Sequence, residues 1–115
     1  MGETIFSKII RKEISAEIVF ENDNILAFKD IRPQAPVHVL IIPKIEIASV
    51  RELDGKKHGA LIGEMIDAAN EIANNMNISI DGFRLVFNCG EDGGQEVPHL
   101  HMHLLGGRKM NWPPG

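Results

Sequence analysis

The chain has 115 residues, with 12 Lys and Arg against 16 Asp and Glu for a formal net charge of −4, and is 43% hydrophobic and 24% charged. This is the composition of one folded globular domain, and it offers no basic field for a nucleic-acid backbone, although a small anion can still find a local site. Cys89 is the only cysteine, which excludes an internal disulfide and a cysteine-based zinc site and favours a reducing compartment, the cytoplasm.

Residues 1–4 form no basic and apolar leader, and the longest uninterrupted apolar run, residues 39–42, is too short to cross a bilayer. Gly2 suits N-myristoylation, yet Phe6 stands where that motif needs Ser or Thr. The expectation is a chain with no membrane attachment. Thr4 reads as the N-cap of a short amphipathic helix carrying Ile5, Phe6, Ile9 and Ile10, ended by Arg11, Lys12 and Glu13.

Two apolar runs follow, residues 16–20 and 25–29, joined by Glu21-Asn22-Asp23-Asn24; Asn and Asp tolerate left-handed backbone, so this predicts a hairpin. Prolines break the chain before a strand over residues 37–42, which Pro43 closes. Asp54 is placed to cap one long helix whose stripe includes Leu61, Met65, Ile66, Ala69, Ile72 and Met76, and Asn74, Asn75 and Asn77 suit its C-terminus. Strands over residues 83–89 and 99–105 flank the loop GEDGGQEVP, and NWPPG ends as an extended tail in which Trp112 needs a place for its ring. Five strands and two helices in the order α, three strands, α, two strands indicate an α+β fold with a mostly antiparallel sheet.

In VPHLHMHLLGGR three of the five histidines alternate. On a strand His99, His101 and His103 share one face, roughly 6 to 7 Å between neighbours, while Leu100, Met102 and Leu104 turn to the core on the other. A solvated polar face explains one such histidine well and three poorly. Two histidines two residues apart can ligate zinc, with His38 from the 37–42 strand as a third ligand, but no carboxylate lies nearby in sequence to orient them.

Alternatively a neutral imidazole attacks phosphorus, giving a phospho-histidine that water opens, while its neighbours hold oxygens or move protons. The loop at residues 90–95 is then an anion cradle, since Gly93 and Gly94 permit close backbone approach and aim N–H groups outward. Asn88, on the more polar face of its strand, is either a substrate contact or a loop cap.

His99-Leu100-His101-Met102-His103-Leu104-Leu105 resembles the signature of the histidine triad (HIT) superfamily. With TIFSKIIRKEI, AFKDIRPQAPVHVLIIPK and GFRLVFNCGEDGGQEVPHLHMHLLGGRKMNWPPG, nearly the whole chain looks like the branch of histidine triad nucleotide-binding proteins, while residues 45–81 match mainly in helical pattern. The resemblance implies a single HIT domain over residues 1–115 with a five-stranded sheet, joined to a second copy in a homodimer.

It also implies His101 as the nucleophile, supported by His99, His103 and His38; Asp30 on the ribose hydroxyls; Phe6, Ile9, Ile14, Phe28 and Ile31 around a purine; and Asn88, Gly94 and Gln95 at the phosphate. No metal or other cofactor is implied, and the tail places Trp112 toward the partner's site. The implied reaction is hydrolysis of purine nucleoside phosphoramidates and aminoacyl adenylates, with a dinucleoside polyphosphate hydrolase or a non-catalytic nucleotide-binding adaptor as alternatives. Glu96 and Pro98 stand where this branch often has Ser and an aromatic residue, and Arg32 where Ser is common; Glu96 can serve as a proton donor or attract cationic amines.

Overall fold

The computed structural model describes residues 3–115; Gly2, and with it the myristoylation reading, lies outside the described residues. The elements are α1 (Ile5–Ile10), β1 (Ile18–Glu21), β2 (Ile25–Lys29), β3 (Val37–Pro43), α2 (Gly59–Asn75), β4 (Phe83–Phe87) and β5 (Met102–Gly106). A short 3-10 turn, Val50–Glu52, precedes α2 and had no clear sequence signal. Every strand pairing is antiparallel and the order across the sheet is β1-β2-β3-β5-β4, so the expected α+β architecture is the one observed.

Local chemistry accounts for the element ends. Thr4 Oγ1 accepts from the Ser7 N–H while Ser7 Oγ accepts from the Thr4 N–H, each at 3.2 Å, a reciprocal cap that starts α1. The β1–β2 hairpin closes differently from expectation. None of its turn residues has a positive φ; instead Asn22 Oδ1 accepts from the N–H groups of Asn24 and Ile25 at 2.9 and 2.8 Å, so the side chain supplies the turn.

Helix α2 starts later than an Asp54 cap would have it. Asp54 is spent on a preceding turn, its Oδ1 accepting from the Lys56 N–H and its backbone N–H donating to His58 Nδ1, and His58 becomes the N-cap. At the other end Asn77, at φ 60°, takes the left-handed conformation that ends the helix. The predicted stripe is buried at Met65, Ala69, Ile72 and Ala73, whereas Ile66 lies at its exposed margin.

The sheet is covered on both faces, which explains why β2 and β3 read as continuous apolar runs rather than alternating ones. Ile25, Ala27, Val39, Ile41, Met102 and Leu104 face α2, together with Leu100. Leu26, Phe28, Leu40 and Ile42 face the other way, where Phe6 and Ile9 of α1 cover them. Cross-strand register then sets the positions of two histidines: Leu40 pairs with His103 and His38 with Leu105, so both imidazoles lie on the α1 face.

The Phe6 ring is the keystone of that face, 6% exposed and edge-on to Phe28 at 5.4 Å between centroids. Phe6→Ala should destabilise the fold by about 3–5 kcal/mol through lost burial and the cavity left behind. Urea unfolding at neutral pH checks this, and a change below about 1 kcal/mol would mean that α1 docks without it.

Candidate active site

β5 is shorter than the predicted strand: it begins at Met102, so His99 and His101 precede the ladder. Two backbone bonds hold them there instead, the Leu100 N–H to the Ile47 carbonyl at 2.6 Å and the His99 N–H to the Val97 carbonyl at 2.9 Å. The alternation survives, with Leu100, Met102 and Leu104 in the α2-side core and the histidines opposite. These histidines are far from solvated: His99 is 2% and His101 6% exposed, beneath the edge of the Phe6 ring at centroid distances of 6.2 and 5.1 Å.

Hydrogen bonding fixes the ring protons, because a carbonyl oxygen accepts and never donates. His101 Nδ1 lies 2.7 Å from the His99 carbonyl oxygen, so Nδ1 carries the hydrogen and Nε2 keeps a lone pair. His99 Nε2 lies 2.9 Å from the Pro43 carbonyl and likewise donates, tying its ring to the end of β3. His38 Nδ1 accepts from the Gln34 N–H at 3.0 Å, so in the neutral ring the hydrogen sits on Nε2.

That hydrogen reaches His103 Nδ1, 2.9 Å away, which must therefore accept. His103 Nε2 is left as the donor, buried and without a hydrogen-bond partner among the described residues. A buried donor left open costs free energy unless a ligand completes it. The relay thus ends in an N–H prepared for an oxygen, with the His101 ring 5.1 Å away.

Asp30 closes the group from the end of β2. Its Oδ1 accepts from the Arg32 N–H at 2.8 Å and its Oδ2 lies 3.5 Å from His38 Nε2. Asp30, His38 and His103 could in composition hold a metal ion, and Asp30 provides the carboxylate absent from the local sequence. The donor chemistry opposes it: a ligating His38 Nε2 needs a lone pair, and the Gln34 N–H bond places a hydrogen there.

Burial lowers the proton affinity of three imidazoles. His103 is pushed down to about 4, by desolvation first and then by repulsion from His101 and His38, with Asp30 opposing. His38 is lowered by desolvation against the pull of Asp30. His99 is lowered by desolvation, partly offset by its bond to Pro43.

Comparison with known proteins decides the family. Residues 11–110 match the HIT domain. The chain belongs to the HIT family. It is 53% identical over 108 residues to the purine nucleoside phosphoramidase of Escherichia coli (strain K12), covering 94% of this chain and 90% of that one. It is 54% identical over 113 residues to a HIT-like protein of Synechocystis, covering 98% and 97%. Among solved structures, a HIT family hydrolase from Legionella pneumophila superposes with a TM-score of 0.95 at 50% identity, covering 98% of this chain and 100% of that one. A HIT family hydrolase from Clostridium thermocellum gives 0.90 at 46%, covering 96% of each.

Within this HIT fold the glycine loop departs from the expected anion cradle. The Gly94 N–H donates to the Glu91 carbonyl and the Gln95 N–H to the Gly90 carbonyl, each at 3.0 Å, so both amides are consumed inside the loop. The Gln95 side chain is consumed too, accepting from the Gly90 N–H and donating to the Ala48 and Val97 carbonyls. Glycine is needed for closure: a Cβ at Gly93 would fall on the Cys89 carbonyl oxygen, and Gly94 adopts φ 78°.

Other expected residues divide. Asn88 follows β4 directly, half-buried, and Glu96 is exposed on the loop rim. Phe6, Ile9 and Phe28 pack together with Ile14 against them, but Ile31 is 91% exposed and stands outside that cluster, because it follows the last paired residue of β2. Trp112 is exposed, with the Arg84 guanidinium 6.0 Å from its ring centroid. Gln34, Pro43 and the His99 carbonyl were missed in the sequence reading because they act through main-chain atoms, which have no residue-type signature. A cavity of about 380 Å³ lies beside Asp30 and His38, lined also by Pro33, Pro36 and Val37.

The lowered histidines predict a pH dependence of stability. Above the unfolded value of 6.5 both states are neutral; below it the unfolded chain binds protons that the folded histidines refuse, so stability falls between pH 6.5 and about 4. Urea midpoints taken across that range should decline with falling pH, and His103→Asn should flatten the decline. A midpoint independent of pH would contradict neutral burial.

Proposed function

We propose that the protein is a purine nucleoside phosphoramidase, hydrolysing P–N bonds in adenosine 5′-phosphoramidates and also opening aminoacyl adenylates. The observation that carries the reading is the His101 Nδ1 bond to the His99 carbonyl, which leaves Nε2 as a free lone pair next to the unpartnered His103 Nε2–H. The E. coli relative named for this activity supports the substrate class.

In the proposed cycle His101 Nε2 attacks phosphorus and the P–N bond breaks, the nitrogen taking a proton from Glu96 or from solvent so that it leaves as the amine, with the nucleotide left on the ring. The His99 carbonyl, already accepting from Nδ1, steadies the positive charge that the ring gains. His103 Nε2–H holds a phosphoryl oxygen, with His38 fixing its tautomer. Water then cleaves the P–Nε2 bond, returning His101 and releasing the nucleoside monophosphate. His99 serves this cycle through its carbonyl and its anchor to Pro43.

Asp30 is assigned to the ribose hydroxyls, and the Phe6, Ile9, Ile14 and Phe28 cluster, with Ile31 at its rim, to the base. Asn88 and the Gly94–Gln95 turn border the phosphate, the latter as scaffold. Glu96 faces the departing amine as proton donor or as attractor of a cationic one. A homodimer paired along β4, with Trp112 near the partner's site, is supported by the half-buried edge strand and by the exposure of Ile66 and Trp112. Among the described residues no helix is long and apolar enough to cross a membrane. The cytoplasmic assignment rests on Cys89 as the only cysteine, which favours a reducing compartment.

His101→Ala should lower turnover of an adenosine phosphoramidate by at least about a thousand-fold while AMP still binds, as read by steady-state kinetics and calorimetry. Parental turnover by that variant would retire the assignment. A rate on diadenosine polyphosphates exceeding that on phosphoramidates would favour the polyphosphate hydrolase, and no AMP release from either would favour the adaptor. A strong chelator in excess should leave turnover unchanged, whereas its loss would restore the metal reading.

A further inference from the structure

The relay that sets the histidine tautomers does not begin at His38. It begins at Gln34, in the turn between β2 and β3. Inside that turn the Arg32 N–H donates to Asp30 Oδ1 at 2.8 Å and Gln34 Nε2 donates to the Arg32 carbonyl at 3.0 Å, but neither bond involves the Gln34 main chain, and Pro33 and Pro36 offer no N–H. What grips Gln34 is Arg108, just beyond β5. Arg108 Nη2 and Nε both donate to the Gln34 carbonyl, at 3.0 and 3.3 Å, while its Nη1 donates to the Lys109 carbonyl at 3.1 Å. The approach is close: a Cβ at Gly107 would lie 2.9 Å from Pro36 Cβ, so the chain leaving β5 presses on this turn.

Gln34 is thus held at both ends, its carbonyl by the guanidinium and its N–H by His38 Nδ1. The planar guanidinium presents Nε and Nη2 together, so the single Gln34 carbonyl oxygen accepts from two donors held in fixed relation to one another. Among the described residues Arg108 makes no salt bridge with a carboxylate, and the three hydrogen bonds it donates all go to main-chain oxygens.

We propose that Arg108 is a positioning residue for the reaction: by clamping the Gln34 carbonyl it keeps the Gln34 N–H on His38 Nδ1, and so keeps the His103 Nε2–H directed into the site. The inference rests on the phosphoramidase reading for its kinetic part only. Without the clamp the turn swings, His38 Nδ1 loses its donor, and the hydrogen redistributes between the two nitrogens. His103 then spends part of its time with a lone pair where a phosphoryl oxygen needs a donor.

The test pairs two readouts on Arg108→Ala and Arg108→Lys. Long-range proton–nitrogen NMR correlations of ligand-free protein report which nitrogen of His38 and His103 carries the hydrogen. In the parent both should be Nε2–H. In Arg108→Ala His38 should move to a mixed tautomer, and kcat on an adenosine phosphoramidate should fall roughly tenfold while KM changes less than about twofold. Arg108→Lys, which retains a cationic donor, should lie between, and it carries the test if the alanine variant does not fold. Arg11→Ala, an exposed arginine remote from the turn, should match the parent.

A purely structural clamp would weaken the fold yet leave tautomers and kcat unchanged in the folded fraction, which would overturn the proposal. A drop in kcat without any tautomer change would overturn it as well. If the tautomers shift as stated but the parent hydrolyses no phosphoramidate, the positioning role stands and the assigned reaction falls.

Discussion

Two main-chain carbonyls and one main-chain N–H govern the chemistry of the whole site. The carbonyl of His99 can only accept, so His101 must donate from Nδ1 and keep its lone pair on Nε2. The carbonyl of Pro43 sets the His99 ring in the same way. The Gln34 N–H sets His38, and through it His103. No side chain in the cluster is free to choose its tautomer, and the resulting pattern is one lone pair and one open donor on neighbouring rings. That combination suits an attack on phosphorus with an oxygen held alongside, and it is poorly suited to a cation.

The pattern needs a dry setting, and the sheet provides it by having two covered faces. Were the α1 face left to water, the three imidazoles with lowered proton affinity would titrate near their ordinary value, and the relay would break whenever one gained a proton. The six-residue α1 suffices because Phe6 brings one large ring to the place where His99 and His101 meet. The glycine loop turns the Gly94 and Gln95 amides inward, and His103 Nε2 is the buried donor left open among the described residues.

How far these features can be read from the chain follows from which atoms carry them. Strands and helices came through the apolar periods, and Thr4 and Asn77 marked helix ends through side-chain and backbone preferences that are local. The placement of His38 diagonally beside His103 was legible only as a possibility, since it depends on the register between β3 and β5, and the two residues lie 65 apart in the chain. Asp54 misled because its side chain found a nearer partner in Lys56, and the hairpin closed through Asn22 Oδ1 where left-handed backbone was expected. The burial of the histidines and the roles of Gln34 and Pro43 were not legible at all: the first depends on where α1 docks, the others on main-chain groups that every residue possesses.

The central claim is that His101 Nε2 forms and then surrenders a bond to phosphorus, a double displacement. The stereochemical course at phosphorus tests it most directly, using an adenosine phosphoramidate made chiral with sulfur and hydrolysed in oxygen-18 water. Two in-line displacements predict net retention of configuration. Net inversion would show that water attacks phosphorus itself, and would leave His101 as a base or a binding group.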